Sequence, residues 1–143
     1  MKSLLTLIKL QKTKVDEQRI FLLKLQEQLG HIDSEIVRLE KEKTEQEALI
    51  HEDSSYGVTY ADYLKAFLDK MQFFQRKRRS LEYAVNIARD KLAELFEEQK
   101  RYEIALQNRQ EEAVREEQRQ ETHVLDEVGS VGYLRRKRQG RQK

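Results

Sequence analysis

The chain has no cysteine and no proline, and only five of its 143 residues are glycine. Without cysteine there is neither a disulfide nor thiol chemistry, and that count leaves the redox compartment open. Without proline, no helix need be kinked or stopped from within. Long apolar runs are missing as well, so no segment is predicted to span a membrane. The opening ten residues, Met1 to Leu10, have the outline of a signal peptide. Lys9 cuts their apolar stretch and no small-residue cleavage site follows, so they read as the first turns of a helix. The expectation is a soluble intracellular protein. Charge of one sign is also lacking: 28 Lys and Arg face 26 Asp and Glu, a net +2. The molecule as a whole is therefore no electrostatic nucleic-acid binder.

What the chain does have is charge of both signs, 38% of residues, and two long heptad stripes. The first runs Leu4, Ile8, Gln11, Val15, Gln18, Leu22, Leu25, Leu29, Ile32, Ile36, Leu39, Lys43, Gln46, Ile50, with ten of fourteen apolar. The second runs Leu64, Phe67, Met71, Phe74, Arg78, Leu81, Val85, Ala88, Leu92, Leu95, Gln99, Tyr102, Leu106, Arg109, Ala113, with twelve of fifteen apolar. A period of 3.5 sustained this long is a coiled-coil seam, not the core face of a globular helix. With only two positions in seven buried, an apolar content of 38% is as expected.

Between the stripes lies His51 to Thr59, where Asp53-Ser54-Ser55 and Gly57 supply turn chemistry. Thr59 with Asp62 reads as a capping box for a helix starting near Tyr60. Helix one is predicted over about 3–51, a turn over 52–59 and helix two over about 60–128. At 1.5 Å per residue the helices are roughly 70 and 100 Å long. Heptad phase alone admits a parallel dimer of one continuous helix. The end of the second stripe decides against it. If the chain folds back so that opposing residue numbers sum to 110, Leu4 meets Leu106 and helix two then runs out of partner. The apolar pattern fades there: Arg109 to His123 holds only Ala113 and Val114 as apolar residues. The predicted fold is all-α, an antiparallel two-helix coiled coil with an overhanging C-terminal helix over residues 1–128. Gln11 falls opposite Gln99, a polar layer able to fix alignment. A basic, flexible tail is predicted over 129–143, loosened by Gly129 and Gly132 and carrying Arg135, Arg136, Lys137, Arg138, Arg141 and Lys143.

No reaction centre emerges. His31, His51 and His123 lack the second ligand that a metal site needs at helical spacing. Acidic pairs such as Glu111-Glu112 have no desolvated cleft to separate their pKa values. No phosphate-binding glycine loop is present, and neither cofactor nor metal is expected. Function is therefore sought in surfaces and ends. Off the seam, Leu10, Ile20, Leu23 and Val37 lie on outer positions of helix one, and Phe73, Tyr83, Ile87 and Ile104 on those of helix two. Phe73, Tyr83 and Ile87 form a stripe, and Val37 falls level with Phe73. A third helix could cover them, or they form a docking patch. Tyr63 and Phe67 lie beside and on the seam, so most of their area is expected in the core.

Three stretches resemble the flagellar export protein FliJ family and its type III secretion counterparts. They are Leu4 to Leu10 leading to Val15-Asp16-Glu17-Gln18-Arg19, then Lys100-Arg101-Tyr102-Glu103-Ile104-Ala105 with Asn108-Arg109, and Glu116-Glu117-Gln118 leading to Leu125-Asp126-Glu127 before the basic end. The resemblance implies a non-enzymatic stalk-like coiled coil at the cytoplasmic face of the inner membrane. It would bind the hexameric export ATPase, promote its assembly and activity, touch the export gate and escort export chaperones, without direct nucleic-acid contact and with membrane association only through partners. On that reading the ATPase side comprises Leu4, Leu7, Leu10, Leu125, Asp126, Glu127, Arg135, Arg136, Lys137 and Arg138. The gate-facing patch, taken from the exposed apolar residues, comprises Val37, Tyr63, Phe67, Phe73, Tyr83 and Ile87. Alternatives are a generic coiled-coil scaffold or chaperone without an ATPase partner, and a nucleic-acid-binding module led by the basic tail, whose affinity would fall steeply with salt. A rotary-ATPase stalk subunit fits the shape, but such subunits usually carry an additional globular part for which the chain has no room.

Overall fold

Regular heptads without an internal proline leave helix as the conformation that buries the seam, and helix is what forms. The computed structural model describes residues 2–53, 55 and 57–141. Helix α1 spans Lys2–Glu52 and α2 spans Gly57–Arg141, and the described residues contain no strand. The two long helices pack against each other as an antiparallel helical hairpin, the fold that the heptads and the fading second stripe predict.

Two packing units divide this hairpin. In the larger, Gln11–Glu97, the buried apolar side chains are Val15, Ile32, Leu39, Phe67, Met71, Val85, Ala88 and Leu95, every one a heptad position. Leu39, Phe67 and Met71 form a core cluster with Ile36, Tyr63, Leu64 and Phe74 packed on it. The polar seam positions hold the helices in register. Gln11, 2% exposed, donates its Nε2 to the main-chain carbonyl of Leu95 at 2.9 Å. One heptad later Gln18 repeats the contact on the carbonyl of Ala88 at 3.1 Å. A helical carbonyl has a second lone pair free for such a bond. Gln99, placed opposite Gln11 by the sequence pattern, donates its Nε2 to Glu103 instead. Arg78, the charged break in the second stripe, is exposed and reaches Asp33 of α1 at 2.6 Å.

The other unit combines the N-terminal turns of α1, through Leu10, with α2 from Glu98 onward. Leu4 and Ile8 are buried there, and Tyr102, Ala105 and Leu106 are half-buried. From Gln107 to Gln139 every side chain is exposed. Burial thus ends at Leu106, where the fold-back register places the end of pairing.

Three boundaries differ from the sequence reading. The second helix begins at Gly57, so Thr59 lies inside its first turn and does not cap it. The reversal is shorter than 52–59. Asp53 N–H donates to Leu49 O and closes α1, and Ser55 N–H donates to the Asp53 carboxylate at 3.0 Å. Ser54 and Tyr56, also assigned to this turn, lie outside the described residues. At the far end α2 continues through Gly129, Gly132 and Gly140 to Arg141, past the expected stop near 128. No described glycine has a positive φ, so none acts as a left-handed stop signal. Gln142 and Lys143 of the expected basic tail lie outside the described residues.

Candidate docking surfaces

A two-helix seam consumes the a and d positions and leaves the rest to solvent. Any site must come from apolar or charged residues that the seam does not use. Each unit carries such residues.

In the unit built from the two ends, Leu4 is seam, whereas Leu7 and Leu10 point outward with Leu5. Ile104 of α2 is exposed as well. Beyond Leu106, α2 has no helix beside it in this unit. Its first stretch is sheathed in local ion pairs, Arg115 to Glu111 at 3.6 Å and Arg119 to Glu116 at 3.4 Å. Such exposed pairs contribute little stability each. The apolar residues then return: Val124, Val128 and Val131 follow at i, i+4 and i+7 and so share one face. Leu125, 69% exposed, adjoins them. Asp126 is exposed, and Glu127 pairs with His123 Nε2 at 3.3 Å. Arg135, Arg136, Lys137 and Arg138 follow, all exposed, and Arg135 and Arg138 continue the valine face.

In the larger unit the stripe on α2 is open: Phe73 is 60% exposed, Tyr83 70%, and Ile87, one turn beyond Tyr83, continues the same face. The Phe73 ring meets the edge of Phe74 at 5.6 Å, and Lys77 Nζ lies 5.9 Å from its centroid. Val37 of α1 is exposed too. The other two residues of the expected patch sit deeper. Phe67, 7% exposed, is core, and Tyr63 packs on that core with its hydroxyl buried and without a hydrogen-bond partner. Burial, with Glu42 and Glu45 nearby, pushes the Tyr63 phenol above its ordinary pKa. Of the expected patch, the residues that a partner can reach are therefore Val37, Phe73, Tyr83 and Ile87.

The family model described as the flagellar FliJ protein matches residues 1–138. The chain belongs to that family. As a FliJ family member it is a component of the flagellar export apparatus. No curated protein and no solved structure matches it.

For this FliJ family chain, the sequence shows the outward stripe of α2 and the cluster at 124–128. The continuation through Val131, Tyr133 and Leu134, all exposed, emerges only in the structure. The i, i+4, i+7 spacing of the valines was the available signal, and reading Gly129 as a helix end concealed it. Phe21 and Leu68 were also passed over, and both are exposed. Among the described residues no cluster of three potential metal ligands forms, and no helix is long and apolar enough to cross a membrane.

Proposed function

We propose that this FliJ family chain is the non-catalytic stalk of the flagellar export apparatus. It binds the hexameric export ATPase, promotes its assembly and activity, meets the export gate and escorts export chaperones at the cytoplasmic face of the inner membrane. One observation carries the reading: α2 leaves its partner after Leu106 and goes on alone to Arg141. Those residues, 107–141, extend roughly 50 Å at 1.5 Å per residue. A single helix with a valine stripe and a basic end is slim enough for a ring's central hole. Arg135, Arg136, Lys137 and Arg138 would suit an acidic lining. Leu7 and Leu10, outward at the paired end, supply the second contact, and Leu4 holds that end together. On the larger unit, Val37, Phe73, Tyr83 and Ile87 supply the face for the gate.

Removing residues 124–143 tests this. Stimulation of ATP hydrolysis by the purified export ATPase is expected to disappear, while circular dichroism loses only the helix deleted. Normal stimulation by the shortened chain would remove this segment from the mechanism. Reversing the four charges at 135–138 to Glu is the milder variant, expected to weaken ATPase binding most at low salt, where exposed charges act furthest.

A further inference from the structure

On α2 a second heptad stripe lies off the first seam: Phe73, Arg76, Ser80, Tyr83 and Ile87 follow at steps of three, four, three and four. All five are exposed, and they occupy the face turned away from Phe67, Met71 and Phe74. The seam does not use these positions.

The stripe is also self-complementary. Laid antiparallel on a second copy with the two-fold axis at Ser80, Phe73 meets Ile87 of the other copy, and Arg76, level with Ala84, lies one residue from Tyr83 and within reach of its ring. An apolar pair and a cation over an aromatic ring are thus each made twice. At the flanks, Asp69 meets Lys91 and Lys70 meets Asp90, again twice, and all four are exposed. Ser80, the smallest side chain in the stripe, sits on the axis, where the helices approach most closely. Parallel pairing would set Asp69 on Asp69 and Arg76 on Arg76, so the charges select the antiparallel arrangement.

We infer that this face binds a second copy of the same chain, antiparallel about Ser80. The contact, Asp69 to Lys91, covers about six helical turns of one helix, a small interface of the transient kind. Pairing is therefore reversible and concentration-dependent. It covers Phe73, Tyr83 and Ile87, so the paired form cannot offer them to the gate. The inference itself does not depend on the gate reading, because it is tested on the purified chain alone.

The absence of native cysteine makes the test direct. Full-length Ser80→Cys is expected to form an interchain disulfide under mild oxidation about tenfold faster than Thr44→Cys on α1, because the axis brings the two Cβ atoms within bonding range. Equal rates would overturn the proposal. Charge reversal gives the second arm, read by sedimentation velocity with folding checked by circular dichroism. Asp69→Lys alone and Lys91→Asp alone are each expected to remain monomeric at concentrations where the wild-type chain pairs. Mixed together they are expected to pair, since each then presents the charge that the other needs. A mixture that stays monomeric, or a wild-type chain that does so up to the solubility limit, would overturn it and leave the stripe to a different partner.

Discussion

Gln11 and Gln18 use side-chain amides to grip main-chain carbonyls across the seam, one heptad apart. The heptad pattern shows where these polar positions fall but not what they bond. An amide long enough to reach a helix backbone need not meet the side chain opposite. Replacing both with Leu leaves no orphaned acceptor, because each carbonyl also serves its own helix. The double variant is expected to gain about 1–2 kcal/mol in thermal unfolding. It should also lose alignment: spin labels at exposed positions of the larger unit would show a broader distance distribution than wild type. At the reversal, Asp53 accepts the Ser55 backbone N–H and hydroxyl, which hold its carboxyl below the ordinary range. On α1, the hydrogen bond from Arg38 does the same for Glu35. Carboxylates depressed in the folded state add stability above their unfolded pKa, about 4, and that stability is lost as pH falls through the folded value. The chain is thus expected to hold its melting temperature from about pH 7 to 5 and to show a small decrease below about 4. Ser55→Pro removes the main donor, and an NMR titration should then find Asp53 back near its ordinary value.

Helix α1 and the paired part of α2 were legible because each heptad repeats the same instruction. The end of α2 was not. Gly129 and Gly132 read as breakers, yet a glycine with negative φ only weakens a helix, by about 1 kcal/mol relative to Ala. With no helix packed beside it in its unit, this segment relies on its own hydrogen bonds and local ion pairs. Backbone amides over 109–141 are accordingly expected to exchange with deuterium far faster than those beside Leu39 or Val85. An added Cβ meets nothing within 4 Å at either glycine. Gly129→Ala with Gly132→Ala should therefore slow exchange locally and raise helix content without touching the seam. Unchanged exchange in that variant would mean the glycines do not set the stability of the segment.

At the scale of the whole molecule, the sequence excludes more than it assigns. A two-helix seam spends its apolar positions on pairing, while partners are written partly in the surfaces of other chains. Val37, Phe73, Tyr83 and Ile87 were legible as apolar residues off the seam. Tyr63 and Phe67 were harder to sort, because a side chain at the edge of a narrow seam is divided between core and surface. The proposed stalk has two contact regions on separate units, so its two activities should come apart. Changing Phe73, Tyr83 and Ile87 to Ser alters exposed positions, so stability should move by no more than about 1–2 kcal/mol. Gate binding should fall while ATPase stimulation stays. Deletion of 124–143 should show the reverse, with stimulation gone and gate binding kept. A scaffold with one broad, unspecialised surface would lose both activities together in each variant, and that joint loss in matched pull-down and hydrolysis assays would exclude the stalk.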